Sequence, residues 1–323
     1  MQLSSEKKTQ DMRGVYADTL VELGQSCHEI VCVGADTTDS IKTKKFGDRY
    51  PDRMFNVGIA EANLVSIAAG LAIAGKTAFA STYAAFLPGR CLDQIRNAIC
   101  YPKLNVKLVV SHAGLTVGPD GASHQQIEDF STLRSIPNMR VIVPADAVSV
   151  GQLVRKIAKT PGPFYVRLAR PSSEVIYSES AIFELNKGNT LREGSDVTII
   201  SCGLMVARSL EAADILKRNE GISCRVIDMF SIKPIDEDLI AECAKDTGAI
   251  VTAEEHNIIG GLGGAVAEVC AESYPVPIRR VGINDSFGES ARDEEIELLL
   301  EKYALTSTKI TQAVLETRRR VKK

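Results

Sequence analysis

Tryptophan is absent from the 323 residues, and phenylalanine and tyrosine bring the aromatic content to only 5%. Each aromatic beside a motif therefore carries more information than usual. Histidine is scarce as well, with 4 in the chain. The 8 cysteines form no CxxC pair and mostly sit in apolar runs, as Cys32 and Cys202 do. That usage excludes a disulfide framework or a cysteine metal site and fits reduced core residues of a cytoplasmic protein. No apolar run approaches membrane-spanning length, and Met1 to Arg13 is polar throughout, unlike a secretory signal. Net charge is -3, and the basic run Arg318-Arg319-Arg320-Val321-Lys322-Lys323 reads as a helix end where cations suit the dipole. Membrane and nucleic-acid partners are thus not expected.

What is present is length and alternation. A chain of 323 residues has room for two domains. A helix over Met12 to Leu23, capped by Gly24, precedes short apolar strands interleaved with helices. Strands are expected at 30–33, 55–57, 77–80, 106–111, 140–143 and 164–168, with helices at 60–74, 89–100, 125–133 and 147–159 between them. The polar loop Gly34 to Arg53 is too long for a simple connection. After a polar linker, Pro171 to Gly194, the alternation resumes with strands at 197–201, 224–227 and 249–252. Helices near 293–303 and 307–319 close the chain. The expected fold is α/β in two domains: a doubly wound, mostly parallel sheet over residues 1–180, then a smaller α/β domain over 190–323.

The organising stretch is Met54-Phe55-Asn56-Val57-Gly58-Ile59-Ala60-Glu61-Ala62-Asn63-Leu64. A short strand meets a glycine and enters a helix with a carboxylate in its first turn. A lone glutamate there commonly faces water and favours the helix dipole. Leu64 to Ala74 is so apolar, however, that Glu61 is expected to point into the interior or an interface. A desolvated carboxylate needs a partner that shares its proton, which makes it a candidate for acid–base work.

Gly58-Ile59-Ala60-Glu61 followed by a small-residue helix resembles the pyrimidine-binding domain of thiamine diphosphate enzymes of the transketolase family. In that family the matching glutamate shares a proton with the cofactor's aminopyrimidine ring, favouring the imino tautomer that deprotonates the thiazolium. The resemblance extends to Ser81-Thr82-Tyr83-Ala84-Ala85-Phe86. Two aromatics three apart are by themselves more often core packing; the resemblance makes Tyr83 and Phe86 the walls of the pyrimidine pocket. Tyrosine stands where the family often has phenylalanine, and Gly89 near where a third aromatic often stands. Asp36 would approach the thiazolium side.

The stretch from Ser111 to Gln126 holds two of the 4 histidines, an aspartate and three glycines after an expected strand, where doubly wound folds place ligands. A His–Asp–His set also suits zinc, but no HExxH-type pattern supports a metal. The loop resembles the transketolase loop that receives sugar hydroxyls and phosphate. By that match His112 meets the phosphate, Asp120 the hydroxyl beside the reacting carbon, and His124 the reacting centre. Arg13, Ser40 and Arg170 match the family's remaining phosphate contacts, although scattered arginines and serines are by default surface residues. Glu254-Glu255-His256 and Gly260-Gly261-Leu262-Gly263-Gly264 do not form GxGxxG, and a strand–loop–helix turn explains them.

Thiamine diphosphate also requires a magnesium–diphosphate site, marked in this superfamily by Gly-Asp-Gly and a downstream Asn. Neither Pro119-Asp120-Gly121 nor Gly47-Asp48-Arg49 fits it. The resemblance covers nearly all of the chain but only the C-terminal half of single-chain transketolases. It implies the C-terminal subunit of a split transketolase, moving a two-carbon ketol unit from a ketose phosphate to an aldose phosphate. An N-terminal subunit would bind the diphosphate and Mg²⁺, and self-association through the pyrimidine domain would give α2β2. Ala62 stands where many single-chain transketolases have His, a departure shared by split forms and deoxyxylulose-phosphate synthases. The alternatives are a deoxyxylulose-phosphate-synthase-like enzyme, the β subunit of a 2-oxoacid dehydrogenase, or a non-catalytic regulatory partner. A dehydrogenase has no reason to keep the His–Asp–His loop, and the retained Glu61 and histidines argue against decay.

Overall fold

The computed structural model describes residues 3–4 and 8–321; Lys322 and Lys323 of the basic run lie outside them. Strands follow the chain as β1 (Thr9–Gln10), β2 (Ile30–Gly34), β3 (Met54–Asn56), β4 (Thr77–Ser81), β5 (Val106–Val110), β6 (Arg140–Ile142) and β7 (Phe164–Arg167). They continue as β8 (Ser173–Glu174), β9 (Asn189–Arg192), β10 (Val197–Ser201), β11 (Cys224–Asp228), β12 (Ser231–Lys233), β13 (Ile250–Asn257) and β14 (Ile278–Ile283). Helices α1 (Met12–Ser26), α2 (Lys44–Arg49), α3 (Glu61–Ile73), α4 (Pro88–Asp93), α5 (Asp129–Arg134) and α6 (Ala147–Ala158) belong to the first half. Helices α7 (Met205–Glu220), α8 (Glu237–Thr247), α9 (Leu262–Glu272), α10 (Ile296–Lys302) and α11 (Ser307–Val321) belong to the second.

The first sheet runs β12-β6-β7-β5-β4-β2-β3 and is parallel except for β12, an antiparallel strand added at its edge from the later part of the chain. The second runs β14-β13-β10-β11-β9, with only β9 antiparallel. β2, β5 and β7 are buried at every position, as strands of a sheet covered on both faces must be. Side chains alternate between two cores with the period of a strand. Val31, Val33, Ala78, Ala80, Leu108 and Val110 pack on the α3 side. Ile30, Cys32, Phe79 and Val109 pack with α1 and α6 on the other. The α3-side core also takes in Ile200, Cys202 and Ile227, so the two domains share apolar packing.

Local chemistry accounts for several boundaries. Asp146 caps α6 in a reciprocal box with Ser149, and its second oxygen accepts the backbone N–H groups of Ile176 and Tyr177, pinning the linker. Gly221 and Gly248 end α7 and α8 in the left-handed conformation that a side chain disfavours. Gly24 does not play that part. Helix α1 continues to Ser26, and a Cβ at position 24 would lie 2.7 Å from the rings of Phe46 and Tyr50. The glycine is there for close approach to α2, which occupies the expected long loop. The helix expected at 89–100 is α4 followed by a π-helical turn over Gln94–Cys100, and the one expected at 125–133 shortens to α5.

Helix α3 is apolar but not enclosed. Leu64, Val65, Ala68 and Ala69 are buried, whereas Ala62, Asn63, Ser66 and Gly70 are exposed and Ile73 is 75% exposed. No helix among the described residues is long and apolar enough to cross a membrane. The eight cysteines are free thiols, and all but Cys27 are buried.

Candidate active site

Every residue singled out in the sequence except Arg13 follows the carboxyl end of a parallel strand: Asp36 and Ser40 after β2, Glu61 after β3, Tyr83 and Phe86 after β4, the histidine loop after β5, Arg170 after β7. This is the edge at which open α/β sheets bind ligands. Arg13 reaches the same edge from the first turn of α1, where its guanidinium donates to the carbonyl of Ser40 at 3.2 Å.

Gly58, with φ +75, turns the chain from β3 toward α3, and Glu61 opens that helix with only 5% of its surface exposed. Its carboxylate is paired with Arg90 at 3.2 Å, and the same guanidinium lies 4.2 Å over the ring of Phe86. A planar, nitrogen-rich cation thus sits between the acid and the aromatic. An aminopyrimidine is also planar and offers nitrogens to an acid and a face to a ring, so these residues fit that group.

Tyr83 stacks on the imidazole of His112 with centroids 3.9 Å apart and lies nearly parallel to Phe86 at 5.8 Å. His124 meets both aromatics edge-on, at 6.4 and 5.1 Å. Glu61, Arg90, Phe86, Tyr83, His112 and His124 form one continuous wall. His112 is buried and adopts φ +58, a conformation a side chain enters only under constraint. Ser111 Oγ holds its Nδ1 at 2.7 Å, and Ser123 holds His124 Nδ1 at 2.9 Å. Burial, helped by the nearby charges of Arg13 and Arg170, pushes the His112 pKa down to about 3, so the ring is neutral at physiological pH.

Both arginines are already held by carboxylates. Arg13 Nε is 3.1 Å from Asp11, and Arg170 makes a two-pronged pair with Asp293 at 2.5 and 3.2 Å. Asp120 is close enough to act on the Arg170 charge. Asp36 stands apart: its backbone N–H and carboxylate engage Asn56, whose amide oxygen also accepts from Gly58 at the start of the Glu61 turn.

Glu254, Glu255 and His256 at the end of β13 form the joint beneath the site. Glu254 receives the Leu262 and Gly263 N–H groups at the start of α9, and burial raises its pKa to about 7. Glu255 accepts from Thr116 N–H at 2.8 Å in the histidine loop. His256 stacks on Phe130 and accepts its N–H. Among the described residues, no three His, Cys, Asp or Glu side chains are grouped so as to hold a metal ion.

Arg90, Asp11 and Asp293 escaped the sequence reading. The first two sit close in sequence to residues that were singled out, whereas nothing local marks Asp293.

The family models for the transketolase pyrimidine-binding domain and the transketolase C-terminal domain match residues 8–174 and 186–310. A putative transketolase C-terminal section of Methanocaldococcus jannaschii is 47% identical over 94% of this chain and 95% of its own. A 6-deoxy-6-sulfo-D-fructose transketolase subunit of a Clostridium species is 41% identical over 96% and 95%. A solved structure described as a split-gene transketolase, inactive beta4 tetramer, is 50% identical, covers 95% of this chain and 98% of its own, and superposes with a TM-score of 0.87. Two domain matches in tandem and relatives of equal length lead to one conclusion: the chain belongs to the transketolase family, as the section that carries the pyrimidine-binding and C-terminal domains.

Proposed function

We propose that this chain supplies the pyrimidine half of a thiamine diphosphate site and is inactive until a separate subunit supplies the diphosphate and Mg²⁺ half. The observation that carries the reading is the Glu61–Arg90–Phe86 arrangement, with a buried carboxylate at the head of a helix whose outer face is bare. That bare face suits a second copy, and α2β2 in the cytoplasm is the assembly proposed. The structure described as an inactive beta4 tetramer is in keeping with this.

When bound, thiamine diphosphate supplies the carbon nucleophile that carries the two-carbon ketol unit from a ketose phosphate to an aldose phosphate. Glu61 holds a proton at the ring nitrogen that reaches it, and burial keeps water from competing for that proton. For this Arg90 must yield the carboxylate oxygen that it holds at 3.2 Å. Phe86 and Tyr83 wall the ring, and Asp36 lies toward the thiazolium side. Neutral His112, fixed by Ser111, acts with Arg13, Ser40 and Arg170 on the anionic end of the sugar. His124 and Asp120 serve the hydroxyls near the reacting carbon. A relative named for a sulfo-sugar substrate supports an anionic terminal group.

The test is an assay of ketol transfer with thiamine diphosphate and Mg²⁺, using the purified chain with and without the diphosphate-binding partner. Activity is expected only with the partner. Robust turnover by the chain alone refutes the split reading. The β subunit of a 2-oxoacid dehydrogenase is the second reading; the stacked Tyr83–His112 pair and edge-on His124 favour a sugar site over it.

A further inference from the structure

Besides the Glu255–Thr116 bond from β13, the candidate substrate loop is held from the other domain along a short segment between β14 and α10. Ala291 N–H donates to the carbonyl of Gly118 at 3.2 Å. The side-chain amide of Gln125 donates both to Leu115 O, at 3.0 Å, and to Glu289 O, at 2.9 Å. Gly121, at φ +71, lies so near Ser290 that a Cβ there would come within 2.4 Å of its hydroxyl. Leu115 is buried in the core of the second domain with Leu299 and Leu300.

The same segment ends in Asp293, whose two oxygens take the two terminal nitrogens of Arg170. Arg170 is the better buried partner, with 25% of its side chain exposed against 61% for Asp293. A planar fork on a flexible stem has many rotamers and meets an incoming anion well only when its plane is already set. A two-pronged pair sets that plane while leaving the remaining N–H donors for a second anion.

We propose that Asp293 is a positioning residue for the substrate's anionic end, presenting Arg170 so that the C-terminal domain determines how firmly that end is gripped. The inference rests on the reading of Arg170 as a phosphate contact. It gives the C-terminal domain a part in substrate selection: the segment 288–293 fixes the histidine loop with backbone bonds and the arginine with a carboxylate.

Steady-state kinetics of the assembled two-subunit enzyme, with a phosphorylated ketose and with hydroxypyruvate as donors, test it. Asp293→Ala is expected to raise KM for the phosphorylated donor about 2- to 5-fold, the range implied by loosening a solvent-exposed ion pair. Its kcat and the hydroxypyruvate KM should be unchanged, and Asp293→Glu should restore the KM. Equal effects on both donors, or none, overturn the proposal. So does a lower KM for the phosphorylated donor, which would make Asp293 a competitor of the substrate's anion. Arg170→Ala in parallel separates the two readings. If it discriminates between the donors and Asp293→Ala does not, only the positioning role falls. If neither discriminates, the phosphate reading of Arg170 falls with it.

Discussion

Replacing Glu61 by glutamine keeps the size and shape of the side chain but removes the group proposed to hold a proton against the cofactor ring. General acid–base contributions of this kind are about 10²–10⁴-fold, or roughly 2.7–5.5 kcal/mol of barrier. Stability should scarcely change. Among the described residues the ion-pair partner of Glu61 is Arg90, whose side chain is 54% exposed, and such a pair contributes about 0–1 kcal/mol. The expectation is therefore a dissociation: a large loss of proton exchange at the cofactor's thiazolium carbon with an unchanged unfolding midpoint. Hydrogen–deuterium exchange at that carbon, followed by acid quench and NMR in the assembled enzyme, reads the first. Thermal unfolding of the chain reads the second. Exchange within a few-fold of wild type in Glu61→Gln would refute the assignment of the acid. A collapse of the midpoint would show instead that the carboxylate serves the fold.

Arg90→Ala removes the cation that, on the proposed reading, the cofactor would displace, so the apparent Kd for thiamine diphosphate in the assembled enzyme should fall, by up to about fivefold if the pair is worth about 1 kcal/mol; isothermal titration decides, and weaker binding would mean that Arg90 belongs to the bound state. Acid should weaken the fold through His256, which is buried against Phe130 and faces Asp129, Glu254 and Arg167, and whose pKa burial pushes down to about 4. The unfolded chain takes up that proton first, so stability is lost as pH falls from about 6.5 toward 4, by on the order of 3 kcal/mol. His256→Gln should flatten this acid limb in urea unfolding; an equally steep limb in the variant would place the loss elsewhere.

The fold and the candidate site were legible in the sequence to different depths, for physical reasons. Short apolar strands between helices can bury both faces only in a covered parallel sheet, so the alternation was enough to fix the class. Glu61 and the histidine loop stood out by their chemistry just past expected strands, whereas Tyr83 and Phe86 read by themselves as core and were singled out only through the family resemblance. Their partners were not. Arg90 is 29 residues from Glu61 and Asp293 is 123 from Arg170, and no spacing rule joins residues whose meeting depends on how α3 packs on α4 or how one domain docks on the other. Gly24 failed as a cap because a glycine required by a neighbouring ring looks, in sequence, like one required by a left-handed turn.

Helix α3 marks the deeper limit. Its sequence is apolar on nearly every face, which is what a helix enclosed in its own core and a helix awaiting a partner have in common. Only the structure separates the two, by leaving Ser66, Gly70 and Ile73 bare while Leu64, Val65 and Ala68 are sealed. Glu61 sits at the head of that helix, at the boundary between the sealed and the bare face. Under the proposed assembly, a second copy that covered the bare face of α3 would also adjoin the Glu61 carboxylate, so that one helix would serve both the subunit contact and the site.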